Sequence, residues 1–234
     1  QKLIINELSN FVWILNGKEE MKKIMFNDKY GLTQAVLDGR KTMTRRFITY
    51  PSKFKGQNVA GYFVCRRPSG EIVEVCMYDE DERMIDGGQI LPKYKVDEVI
   101  AIAQPYKDIL NYLPDGFRRK SDGYISTIIS SSVGLNNKMF VRADLMPHHI
   151  RITDVKVERL QDISNEDCLK EGVQKWVDVK NVKDVAKYGG YTNGSWDWFE
   201  TPREAFSTLI DEVSGKGTWE CNPYVWVYEF ELID

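Results

Sequence analysis

The stretch GRKTMTRR, residues 39–46, joins a glycine to a run of basic and hydroxyl side chains. Just before it, Leu32, Ala35 and Val36 repeat at the i, i+3, i+4 spacing of one buried helix face. Gly39 stands where a left-handed helix stop is expected, because glycine has no Cβ to oppose a positive φ. The pattern therefore predicts a short helix that ends beside Lys41.

The segments that follow are typical of strands. Residues 62–65 and 72–76 are rich in β-branched and aromatic side chains and are separated by a Pro/Gly turn, which predicts a hairpin. Residues 95–103 are nearly continuous in apolar side chains, as in a strand buried on both faces. The alternation in residues 150–157 slips by one position at Thr153, which predicts a β-bulge. Residues 224–232 alternate regularly and predict a final core strand.

Two further helices have recognisable start signals. Ser164 and Asp167 form the beginning of a capping box, and this helix is expected to end before Gly172 with Glu171 on its last turn. Thr201, followed by a proline and then Glu204, predicts a longer helix with an apolar face. Both helices lie far along the chain from the basic run.

The remaining segments predict the domain organisation. Residues 104–138 and 174–200 lack a sustained period and are interpreted as two loop insertions, the second being aromatic and mobile. The fold class is therefore predicted as α+β, a single β-barrel with short rim helices that covers residues 21–234. Residues 1–20 are expected to be an extension upstream of the natural start, since Met21 and its two lysines look like a natural beginning.

Composition narrows the classes of function. The formal charge is −3, from 32 basic and 35 acidic side chains, so any contact with nucleic acid must be local. The four cysteines are dispersed, include no CxxC pair and come with only two histidines, so neither a metal nor a cofactor is expected. No apolar run approaches the roughly 20 residues of a membrane span. A cytoplasmic protein with no membrane partner is predicted.

Several of these segments together resemble the ASCH-domain family, more narrowly its bacterial and phage-borne branch. The resemblance is carried by residues 21–46, 146–147, 160–163, 166–167, 171–173 and 222–230. It implies that the barrel is of the PUA-like type and that the protein binds RNA, another single-stranded nucleic acid or a modified nucleoside. The oligomeric state does not follow from it.

The resemblance also implies a catalytic trio. One branch of the family hydrolyses the acetyl amide of N(4)-acetylcytidine with a Lys, a Thr three positions on and a later Glu, which here are Lys41, Thr44 and Glu171. A threonine hydroxyl attacks an amide only if a neighbouring base takes its proton. Lys41 suits that role if burial depresses its pKa, but a close carboxylate would raise the same pKa. The acid and base roles therefore stay open at this stage.

Four other residues are candidates for ligand binding. Arg40 extends the basic run, and Arg45 with Arg46 could hold phosphate bidentately or form an exposed charged turn. Gln104 stands where many relatives carry an Arg-Glu-aromatic group, so a charged pair is missing and the substrate is expected to differ.

Three functions follow as hypotheses. The first is recognition of RNA, single-stranded nucleic acid or a modified nucleoside through the Lys41–Thr44 loop. The second is an amidohydrolase that removes an acyl group from N(4)-acetylcytidine-like substrates. The third is a non-catalytic interaction module of a phage or mobile element, with the aromatic insertion plugging the cleft. Against all three stands the simpler interpretation that Lys41, Thr44 and Glu171 are solvated surface residues.

Overall fold

The structure is a computed structural model that describes residues 21–70, 72–112, 132–177 and 186–234. The predicted N-terminal extension and parts of both predicted insertions lie outside these ranges. The chain divides into two compact units. The first holds the described parts of residues 1–25 and 99–149, and the second holds those of residues 26–98 and 150–234. The single-domain arrangement stays a prediction.

The elements are, in chain order, as follows. The strands are β1 (Lys23–Ile24), β2 (Met43–Phe47), β3 (Lys53–Phe54), β4 (Gln57–Asn58), β5 (Gly61–Arg66), β6 (Ile72–Tyr78), β7 (Met84–Ile90), β8 (Val99–Ile102), β9 (His149–Arg159), β10 (Gln174–Val177), β11 (Ala186–Thr192), β12 (Ser195–Phe199) and β13 (Tyr224–Leu232). The α-helices are α1 (Leu32–Leu37), α2 (Asn165–Lys170), α3 (Pro202–Ser214) and α4 (Thr218–Cys221). Single-turn 3-10 helices lie at Tyr106–Asp108, Val133–Leu135, Lys138–Phe140, Ala143–Leu145 and Leu160–Asp162.

The first unit is organised around β8, which pairs with β1 in parallel. Ile100 and Ile102 are fully buried, which confirms the expected buried strand. The strand is shorter than the predicted 95–103, because Asp97 adopts a left-handed φ of 65° and turns the chain just before it. The core of this unit consists of Ala101, Ala103, Tyr106, Ile109, Val141 and Met146.

The second unit contains the main antiparallel pairings. β2 pairs with β13, β13 with β9, β9 with β6 at Ile72 and Val157, and β6 also with β5 and β7. This confirms the predicted hairpin and the final core strand. Over the described residues the pairings run as an open path from β2 to β7 and do not return to β2, so no closed barrel is found. The mixed α+β character, with mostly strands and few helices, is confirmed.

The predicted β-bulge is present in β9. Glu229 pairs with Asp154, but the next residue of β13, Phe230, pairs with Ile152. Thr153 is therefore the extra residue, as in a bulge that places two residues of one strand opposite one of its partner. The slip in the alternation of the sequence is confirmed.

Helix α3 packs on the face of β2 and β13 that carries Val225 and Val227. Thr201 and Glu204 form a complete capping box, and Gly215 ends the helix with a φ of 111°. Both ends are where the sequence predicted them. The buried core of this unit is Met43, Leu160, Ile163, Cys168, Val173, Ala205, Phe206, Ile210, Val225 and Val227.

Much of the second predicted insertion forms a small antiparallel sheet, β10-β11-β12. One face packs on the second unit's core through Tyr188 and Phe199. The other face carries Trp176, Trp196 and Trp198, which stay 40–49% exposed. These strands were not predicted from the sequence, because glycine and lysine interrupt the apolar alternation that is typical of a strand.

The close packing of this small sheet on α3 makes a specific prediction. A Cβ on Gly190 would lie 2.8 Å from the Ala205 carbonyl oxygen and 2.9 Å from Thr208 Oγ1. We expect Gly190→Ala to lower the free energy of unfolding by about 1–3 kcal/mol, because a tightly packed contact cannot absorb an added methyl. Urea denaturation followed by circular dichroism measures the change, with exposed Ser195→Ala as the control. Equal stabilities of the two variants would contradict the packing.

No helix in the described ranges combines the length and apolarity needed to cross a membrane.

Candidate functional site

Lys41 is held at the site by the end of α1. Gly39 adopts a φ of 71°, and the Lys41 backbone N–H then donates to the Ala35 carbonyl at 2.8 Å. The next residue, Thr42, donates its N–H to the Lys170 carbonyl at 2.9 Å. The loop is thereby joined to the end of α2, and Lys41 is only 2% exposed.

Glu171 lies at the C-terminal end of α2, as the capping signals predicted. Its side chain accepts a hydrogen bond of 2.5 Å from Lys41 Nζ, and its carbonyl accepts a second of 2.7 Å from the same atom. Gly172 adopts a φ of 102°, and a Cβ there would meet Lys41 Cβ at 3.5 Å. Two residues 130 positions apart in the chain therefore form one buried ion pair.

Arg45 extends this pair into a network. Its Nη1 lies 3.1 Å from Glu171 Oε1, so the Glu171 carboxylate bridges Lys41 and Arg45. Its Nη2 lies 2.5 Å from Glu158 Oε1 and 3.5 Å from Asp167 Oδ2. The Arg45 side chain is only 1% exposed, so its charge is compensated by carboxylates of the protein itself.

Burial sets the protonation behaviour of the three basic residues. Desolvation lowers the pKa of Lys41, the Glu171 carboxylate opposes this, and Arg46 and Arg45 reinforce it, so the pKa lies below its ordinary value. Burial also lowers the pKa of Arg46. For Arg45, burial is outweighed by Glu171 and Glu158 together, and its pKa is raised. Within the ion-pair network around Glu171, the pKa is therefore lowered at Lys41 and raised at Arg45.

Thr44 lies on the face of β2 opposite to that of Arg45. It pairs with Tyr228 of β13, and strand alternation puts its side chain on the face of Arg46, opposite that of Arg45. Thr44 is 4% exposed, and over the described residues no hydrogen bond joins its hydroxyl to Lys41 or Glu171. The Arg46 guanidinium lies 5.6 Å from the centre of the Phe26 ring, and Lys41 Nζ lies 5.9 Å from that centre.

Two further predicted binding residues, Arg40 and Gln104, make other contacts. Arg40 is exposed and pairs with Asp38 at 2.9 Å. Gln104 belongs to the other compact unit, where its backbone N–H points to Met146 Sδ at 3.3 Å. Its side-chain oxygen is buried without a hydrogen-bond partner in the part of the chain that the structure describes.

The geometry excludes two of the simpler interpretations, namely that the trio is solvated and that Arg45 lies in an exposed turn. Lys41, Thr44 and Glu171 are buried, so they are not solvated surface residues. Arg45 lies in a strand within an ion-pair network, so it does not form an exposed turn.

Sequence reasoning missed three residues of the site, Glu158, Asp167 and Phe26. Asp167 was noted as part of a helix cap and of the segment 166–167, but it was given no role in the site. Glu158 becomes recognisable only once the register of β9 against β13 is known, because that register sets which strand residues are neighbours.

No protein-family model matches this chain, and no curated protein or solved structure matches it significantly.

The Cys168 thiol gives a test of how tightly the residues beside this network are packed. Burial raises the pKa of Cys168 to about 12, against an ordinary value of 9.0. Since alkylation needs the thiolate, we expect its reactive fraction at pH 8 to be about a thousandfold smaller than that of an ordinary thiol. Iodoacetamide labelling read by mass spectrometry should modify exposed Cys221 first and Cys168 only after unfolding. Labelling of Cys168 at the rate of Cys221 would contradict the burial of Cys168 in the folded chain.

Proposed function

We propose that this chain is a cytoplasmic ASCH-type protein with a PUA-like barrel, and that it recognises a modified nucleoside or an unpaired base of single-stranded RNA beside Lys41 and Thr44. The observation that carries the proposal is the contact between Lys41 Nζ and the Glu171 carboxylate at 2.5 Å. The resemblance to the family implied that these two residues act together, although 130 positions separate them.

The ion pairs that already compensate the charge of Arg45 favour a neutral ligand group over a phosphate beside Lys41. The Arg45 guanidinium faces Glu158, Asp167 and Glu171, so an incoming phosphate would have to displace protein carboxylates. Lys41 Nζ has three N–H donors when protonated and uses two of them on Glu171. The third suits a carbonyl oxygen, such as that of an acyl group on a base.

Calorimetric titration with N(4)-acetylcytidine and with cytidine tests recognition. We expect the acetylated nucleoside to bind more tightly and Lys41→Met to remove the preference. Arg40→Met is the matched control, because Arg40 is exposed and outside the network. Equal affinity for both nucleosides in the wild type, or an unchanged preference in Lys41→Met, would overturn the proposal.

The lowered pKa of Lys41 favours a second function at the same place, hydrolysis of the acyl amide. In this reaction Lys41, as the neutral amine, takes the proton of the Thr44 hydroxyl while Thr44 Oγ1 forms a bond to the acyl carbon. The proton passes to the leaving amine as the C–N bond breaks, and water then hydrolyses the acyl-threonine ester. Glu171 stabilises the charged form of Lys41 between these steps.

Chromatographic assay of N(4)-acetylcytidine deacetylation tests this second function. We expect Thr44→Val to abolish turnover and Lys41→Met to lower it by about 10²–10⁴-fold, the usual contribution of a positioned base. Thr42→Val is the matched control, two residues away in the same run. Absence of turnover in the wild type, or equal losses in Thr42→Val and Thr44→Val, would remove the enzymatic function and leave recognition to be judged by the binding titration.

A further inference from the structure

A cluster of potential metal ligands lies on the β5-β6-β7 meander. Cys65 pairs with Glu74, and Phe63 pairs with Cys76, so Cys65, Glu74 and Cys76 point to one face of the hairpin. Their two sulfur atoms and a carboxylate oxygen all lie within 4.8 Å of one another. Dispersed cysteines gave no such indication in the sequence, because the pair becomes local only when the hairpin forms.

We propose that Cys65, Glu74 and Cys76 bind a thiophilic divalent cation of the Zn²⁺ type. Zinc bonded to two sulfurs at about 2.3 Å in a tetrahedral arrangement holds them about 3.8 Å apart, so the ligand atoms need to move by less than about 1 Å. Two thiolates with one carboxylate select such an ion over Mg²⁺ or Ca²⁺, which prefer sets of oxygen ligands.

The surroundings of the cluster fit this function. Gln89 Nε2 donates to Glu74 Oε1 at 3.1 Å, which leaves Oε2 facing the Cys76 sulfur at 3.7 Å. This is the arrangement of a partner that orients a ligating carboxylate. Cys76 is buried and Cys65 is half-buried, so both sulfur atoms are held within the packed hairpin close to the Glu74 carboxylate.

The binding step is an exchange of protons for a metal ion. Two S–H bonds break, two metal–sulfur bonds and one metal–oxygen bond form, and two protons pass to solvent without any oxidant or reductant. Cys76 is buried, Cys65 is half-buried and Glu74 is exposed, so the cluster opens to solvent on one side. Water can therefore take the fourth coordination position that zinc usually fills.

Titration of the full, reduced chain with Co²⁺ tests the site, because cobalt bound to thiolates gains a charge-transfer absorption that cobalt bound to oxygen or nitrogen lacks. We expect one equivalent of Co²⁺ to produce this absorption and one equivalent of Zn²⁺ to abolish it. Cys65→Ser and Cys76→Ser should each weaken Co²⁺ binding at least tenfold, and Gln89→Leu should weaken it about tenfold. Cys221→Ser is the control, since this exposed cysteine lies outside the cluster.

Two results would overturn the site. One is a reduced wild-type chain that binds Co²⁺ without the thiolate absorption. The other is an absorption that persists unchanged in Cys65→Ser, whether or not Cys76→Ser loses it, because the proposed site uses both sulfurs. Cys65 is less buried than Cys76, and circular dichroism can verify that Cys65→Ser is folded.

Discussion

Replacing Glu171 with glutamine is expected to lower the free energy of unfolding by about 3–5 kcal/mol, as for a buried ion pair that loses one partner. The carboxylate lies between Lys41 and Arg45, and both of these side chains are almost fully buried. The amide keeps the shape of the side chain but removes the negative charge. Lys41 then stays buried without its nearest counter-charge, which is the physical origin of the loss.

The same variant has a predictable dependence on pH. The pKa of Lys41 in the folded protein is already below its ordinary value of 10.5, and loss of the opposing Glu171 charge lowers it further. Between the folded pKa and 10.5 the unfolded chain binds more protons at Lys41 than the folded chain does, so stability rises with pH. We therefore expect the deficit of Glu171→Gln to shrink as the pH is raised toward 10.5.

Urea denaturation at several pH values, followed by far-ultraviolet circular dichroism, measures both effects. Glu166→Gln is the matched control, because Glu166 lies in the first turn of the same helix and is exposed. A deficit that is equal in the two variants, or that does not vary with pH, would show that Glu171 does not hold a buried cation.

Replacing Arg45 with methionine is expected to have a second large effect, again a loss of about 3–5 kcal/mol. Arg45 faces Glu158, Asp167 and Glu171. Without it these carboxylates stay close together, and Lys41 is the one buried cation left beside them among the described ion pairs, since Lys156 and Lys170 are exposed. Acidification protonates carboxyl groups, so we expect the difference from wild type to narrow at low pH. This direction is opposite to that of Glu171→Gln.

Arg40→Met is the control for Arg45→Met, since Arg40 lies in the same run but its pair with Asp38 is exposed. Exposed ion pairs contribute little to stability because water already solvates both charges. Stability measured against urea at pH 5 and pH 7.5 distinguishes the two variants. A small loss in Arg45→Met, similar to that of Arg40→Met, would contradict the buried network.

The parts of the fold that the sequence predicted well are those with local signals. Gly39 ends α1 because a left-handed residue is needed there, and Thr201 with Glu204 begins α3 through hydrogen bonds that span three residues. The bulge at Thr153 was visible as a break in alternation. In each case the physical cause lies within a few residues of the position that it determines.

The rest of the site depends on pairings that no local pattern contains. Arg45 was interpreted either as a phosphate-binding residue or as part of an exposed charged turn. Its counter-charges instead come from Glu158 and Glu171, more than a hundred positions later. Strand β7 was not predicted because MIDGGQI lacks a regular apolar alternation. The aromatic insertion was interpreted as a loop for a related reason, since Gly189 and Gly190 suggest a turn.

The exposed tryptophan face of β10-β11-β12 also determines which spectroscopic probe suits this protein. Trp176, Trp196 and Trp198 are half of the six tryptophans in the chain, and all three are already in contact with water in the folded state. Their emission is expected to change little on unfolding and to be readily quenched by acrylamide beforehand. Tryptophan fluorescence of the folded chain would therefore report largely on this small sheet. A ligand stacked on the outer face of the sheet would quench this emission even if it left the free energy of unfolding unchanged.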